Sequence, residues 1–116
     1  MDYKKMWLAF VQVVPDEGYH FADLIDTEGA EAEATYMGAW CNVLVKHEDI
    51  KQAIDIIEEG LLDKHFVLVF IDKIENIESL VENEELNDDT LADIHELWNS
   101  GQVFTISGSL YPYMEE

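Results

Sequence analysis

Two short runs, His47-Glu48 and His95-Glu96, begin as a zinc-protease helix begins, where two histidines four residues apart share one helical face around a glutamate. The second histidine is missing from both. Lys51 occupies that position in one run and Asn99 in the other. His20 and His65 stand alone, and a single cysteine supplies no ready tetrahedral set. The acidic stretches 26–31 and 82–89 offer oxygen ligands without the spacing, the glycine at position 6 or the closing glutamate of a calcium loop. Ser107-Gly108-Ser109 lacks the first glycine of a nucleophile elbow. Cys41 lies in an apolar run beside Trp40 and Val43, a setting for an inert thiol and not for a thiolate nucleophile. Carboxylate pairs are too many to single one out, and no glycine-rich phosphate loop occurs. The chain is therefore expected to hold no catalytic residues, no cofactor and no metal.

The same carboxylates carry information as a whole. Twenty-six acids stand against six lysines, no arginine is present, and the formal net charge is −20. Such a charge raises solubility and draws in cationic partners. It argues against nucleic acid and against anionic membranes, because both are gripped by basic residues. Lack of arginine strengthens the argument, since its planar fork is the usual reader of phosphate. A single cysteine rules out an internal disulfide framework and suits a reducing, cytoplasmic setting. No apolar run approaches the ~18 residues of a membrane span. Lys4 and Lys5 followed by 6–14 resemble the start of a secretory signal, but Gln12 breaks the run. Pro15-Asp16-Glu17 then stands where small residues would be cleaved, so 6–14 reads as a first strand.

The elements organise around 35–72, which reads as strand (35–45), helix (48–64) and strand (66–72). Ile50, Ala53, Ile54, Ile57 and Leu61 recur at helical period, with Glu48 and Asp49 in the first turn and Lys64 in the last. Gly60 interrupts that stripe at a cost of about 1 kcal/mol against alanine, so the helix is expected to fray or end early there. A strand–helix–strand unit sets its two strands parallel with the helix across one sheet face. Strand 6–14 is apolar on both sides, as a central strand covered twice would be. A second helix is expected from a cap at Asp89 or Thr90, burying Leu91, Ile94, Leu97 and Trp98 and stopping at Gly101. A last strand, 102–107, leads to an aromatic tail that Pro112 keeps at an edge. The expectation is one α+β domain, a two-layer sandwich of a mostly antiparallel sheet with two helices on one face, ferredoxin-like or a variant of it.

Seventeen of the acids fall in two blocks, seven in an excursion at 16–33 and ten in 72–96. The candidate partner-binding residues are Asp23, Asp26, Glu28 and Glu31 in the first block. In the second they are Glu82, Glu84, Glu85, Asp88 and Asp89, within an expected acidic loop at 82–89. Tyr19, Phe21, Tyr111 and Tyr113 stand near expected edges beside acids, and aromatic rings next to carboxylates receive lysine and arginine side chains through ion pairing and cation–π contact. Tyr111 and Tyr113 complete the candidate set.

Gly38-Ala39-Trp40-Cys41-Asn42-Val43, Ala53, Phe66-Val67, Gly101-Gln102-Val103-Phe104 and the aromatic tail form a pattern of apolar and turn positions across 35–113. That pattern resembles small bacterial ferredoxin-like proteins without an assigned activity. The size, acidity and missing catalytic residues are also similar to immunity proteins, which neutralise toxins encoded beside them. That resemblance implies a non-catalytic inhibitor occluding a basic protein partner, such as a toxin, through a carboxylate-rich surface. Two other readings stand beside it: a small-ligand or metabolic protein with a pocket lined by Trp7, Trp40 or Trp98, and a DNA-mimic regulator. The double-sided strand 6–14 also allows a homodimer, against which the charge works.

Overall fold

The structure is a computed structural model and describes residues 2–16 and 36–114. A short 3-10 turn, Tyr3–Lys5, leads into β1 (Met6–Pro15), followed after the undescribed stretch by β2 (Tyr36–Lys46). Helix α1 (Ile50–Asp63), strand β3 (Phe66–Asn76), helices α2 (Ile77–Glu82) and α3 (Asp88–Ser100), and strand β4 (Phe104–Met114) complete the order. The fold is α+β, with a four-stranded antiparallel sheet in the order β3-β1-β2-β4.

β1 sits at the centre, as its double-sided apolarity requires. Ala9, Val11 and Val13 pair with Val43, Cys41 and Ala39 on one face, and all six are buried. Helix α1 covers that face with Ala53, Ile57 and Leu61, so helix and sheet stack there as the two layers of a sandwich. Residues of the opposite parity, Met6, Leu8 and Leu44, pack with Ile77, Leu80, Ile94 and Leu97 of α2 and α3. Successive strand side chains point to opposite faces. The helices therefore lie on both sides of the sheet, which corrects the expectation of two helices on one face. A central strand that is apolar on both sides signals that each side carries a covering layer over part of its length. It does not say which helix covers which side.

β2 and β3 each run antiparallel to β1 and so parallel to each other, with β1 between them. The strand–helix–strand unit is thus present as β2-α1-β3 straddling β1. In a β-α-β-β-α-β chain the first connection would be a crossover. Here β1 and β2 are direct antiparallel neighbours, so the strand order differs from the ferredoxin-like one.

Local chemistry fixes the helix ends. Asp49 caps α1 by accepting from the Lys51 amide at 2.8 Å, and Asn87 caps α3 by accepting from the Thr90 amide at 2.8 Å. The α3 cap is therefore Asn87, not Asp89 or Thr90. Gly101 ends α3 at φ 79, the left-handed conformation a glycine takes freely. Helix α1 runs through Gly60 without ending. A Cβ there would lie 2.5 Å from the Phe104 ring, so the glycine admits β4 against the helix. The stretch 82–89 is not one loop. Glu82 closes α2, a short helix capped by Asn76, while Asp88 and Asp89 open α3. β4 also runs further than expected, through Tyr111 and Pro112 to Met114.

Candidate partner-binding face

The face under α2 and α3 is covered at one end only. Beyond Leu8 and Leu44 the same parity continues with Phe10, Gln12 and Val14 of β1 and Asn42 and Trp40 of β2. None of the described helices lies over this half. Phe10 and Trp40 stack with ring centroids 5.3 Å apart, and Phe70 of β3 stands edge-on to Trp40 at 6.4 Å. Tyr111 of β4 is the register partner of Trp40 and so shares its face. Phe70 and Tyr111 are 52% and 56% exposed. Large rings of that exposure, gathered on one surface, form a patch and not scattered surface apolarity.

The charge on this half is unlike that of the rest of the chain. The residues the register sets on it between Phe10 and Val14 and across the neighbouring strands include Lys73 but no carboxylate. The acids stand around it. Asp72 is the residue that a bulge in β3 leaves without a register partner, and Asp16 follows the end of β1. Asp93 marks the boundary with the covered half. Its Oδ2 accepts from the hydroxyl of buried Ser107 at 2.8 Å, and Ser107 pairs with Asn42, one step along β2 from Leu44 on that face. This hydrogen bond pins α3 at the edge of the aromatic surface. A ring-rich, charge-poor centre inside an acidic surround has the anatomy of a protein–protein contact.

The residues expected to bind a partner are distributed unevenly. Asp23, Asp26, Glu28 and Glu31 lie outside the described residues. Glu82, Glu84, Glu85, Asp88 and Asp89 are all exposed where α2 gives way to α3. Asp88 and Asp89 also complement the positive end of the α3 dipole, a structural reason for acids at those positions. Tyr111 belongs to the aromatic half, whereas the backbone of Tyr113 pairs with Gly38.

Phe10 and Phe70 were not among the expected binding residues. The signal available was weak, because 66–71 is apolar at every position and alternation cannot separate its two sides. Two register shifts between β1 and β3 decide the matter and turn Phe70 towards Trp40. Trp7 is half-buried and donates its indole N–H to the His47 carbonyl at 2.8 Å. Trp98 lines a hollow with lysines at the other end of the sheet.

Cys41 is fully buried, and burial pushes its thiol up to about 11 from an ordinary 9.0. A thiol so placed is a packing group, not a nucleophile. No cluster of three or more metal-ligating side chains occurs among the described residues. Nor is any helix among them long and apolar enough to cross a membrane. No protein-family model matches the chain, and no curated protein or solved structure matches it.

Proposed function

We propose that this chain is a non-catalytic acidic binding protein of the inhibitor or immunity type, which occludes a basic protein partner. The observation that carries the reading is the carboxylate-free aromatic half-face of Phe10, Trp40, Phe70 and Tyr111 in a chain of net charge −20. Aromatic anchors give an interface its affinity, and surrounding charge gives it association rate and choice of partner. A second copy of the chain would bring equal negative charge to the same contact, so the charge favours a cationic partner over a homodimer. The exposed acids from Glu82 to Asp89 then serve as steering groups. The single free Cys41 suits a cytoplasmic site of action.

The test is retention from a lysate of the source organism on immobilised protein, at low and moderate salt, with the wild type beside a W40A/F70A variant. One basic protein held at both salts by the wild type and released by the variant supports the reading. Retention that the variant keeps, or a mixture of basic proteins lost at moderate salt, overturns it.

A further inference from the structure

The opposite end of the sheet concentrates donors. Lys5, Lys46, His47, Glu48 and Trp98 line one hollow of about 360 Å³. Three hydrogen bonds to backbone carbonyls hold its frame in place. The His47 amide donates to the Lys5 carbonyl at 2.8 Å, the Lys46 amide to the Val103 carbonyl at 2.9 Å, and Trp7 Nε1 to the His47 carbonyl at 2.8 Å. Strands β1, β2 and β4 therefore meet here in a fixed frame.

With 26 acids available to six lysines, pairing should be the rule, yet the described residues hold one ion pair, Lys73 with Glu75. Neither Lys5 nor Lys46 has a carboxylate within salt-bridge distance among the described residues. Lys46 instead places its ammonium 5.4 Å from the centre of the Trp98 ring, a weak substitute for a counter-ion. His47 Nδ1 accepts from the Asp49 amide at 2.9 Å, so the neutral ring carries its proton on Nε2 as one more donor. Glu48 is the sole carboxylate of the lining, and it is exposed.

We infer that this hollow is a binding site for a small organic or inorganic dianion, with one negative oxygen group set against each of Lys5 and Lys46 and a third contact from His47 Nε2–H. Two ammonium groups and an imidazole donor around one open hollow match two negative charges. A monoanion would leave one ammonium as it stands. The size suits a dicarboxylate or a phosphate and is at the small end of ligand sites. The inference is independent of the aromatic face, which lies at the far end of β1 and β2.

The experiment is a titration of the full chain followed by amide and indole NMR resonances, with succinate in one arm and inorganic phosphate in the other. Ionic strength is held constant with sodium chloride. Saturable shifts confined to Lys5, Lys46, His47 and Trp98, with a millimolar midpoint, are expected in at least one arm. The arm that saturates at lower concentration identifies the oxygen group preferred. K46Q and K5Q each weaken binding about tenfold, and E48Q tightens it by about threefold because it removes the like charge. K73Q, whose lysine already has a partner, leaves the midpoint unchanged. Shifts equal to those from chloride alone, or midpoints that K5Q and K46Q leave in place, overturn the inference.

Discussion

One face of the sheet carries two surfaces made from the same alternation. At the Met6 end, Met6, Leu8 and Leu44 are aliphatic and lie under α2 and α3. At the other end, Phe10, Trp40 and Phe70 are aromatic and none of the described helices covers them. Both surfaces follow strand period, and Gln12, Asn42 and Lys73 stand among the rings of the second. They differ in side-chain shape and in what the chain places over them. Compact aliphatic groups interdigitate with a helix, whereas flat rings stack on each other without one.

That contrast breaks most readily at its two centres. Leu44→Ala should cost about 2–5 kcal/mol in urea unfolding, because it opens a cavity beneath two helices. Phe70→Ala should cost less than about 1 kcal/mol, since half of the ring is already in water, while weakening partner capture by about 2 kcal/mol or more. Equal losses of stability at the two positions would mean that the aromatic half is ordinary core.

The next effect concerns the face beneath α1. Gly60→Ala should destabilise by about 1–3 kcal/mol, despite the helical preference for alanine, because the methyl meets the Phe104 ring. A compensating Phe104→Leu in the same chain should recover part of the loss in thermal melts. If G60A alone stabilises the protein, α1 is not held against β4 as described.

At the boundary between the two surfaces, Asp93→Ala should cost about 1–2 kcal/mol by leaving the buried Ser107 hydroxyl without its acceptor. Amide exchange should then rise in α3 more than in α1. Uniform exchange across both helices would dissociate Asp93 from the docking of α3.

The last effect is read at Cys41, as a change with pH. Its folded pKa of about 11 lies above the ordinary 9.0, so the neutral thiol is favoured in the folded state. That contribution to stability is complete below pH 9 and is lost as pH rises towards 11, by at most about 1.4 kcal/mol per unit. The difference between wild type and Cys41→Ala should shrink across that window and stay constant below it. Iodoacetamide at pH 8 should label Cys41 only after unfolding.

Several features were fixed by local sequence. The stripe of Ala53, Ile57 and Leu61 made α1, the period of Ile94 and Leu97 made α3, and the double-sided apolarity of 6–14 put β1 in the centre. These depend on side-chain periodicity within one segment, which a sequence displays directly. The missing catalytic spacings were equally visible, because motifs of that kind are local as well.

The tertiary structure alone decided the rest. Helices on opposite faces, direct pairing of β1 with β2 and the approach of Phe104 to Gly60 each join residues far apart in the chain. The same is true of the two surfaces on one sheet face. Phe70 reaches Trp40 only because β3 slips register twice against β1, and no pattern within 66–71 records a slip. Sequence determines which residues are apolar and at what period. Only packing decides which of them the described helices cover and which they leave exposed, because coverage depends on where distant segments end in space.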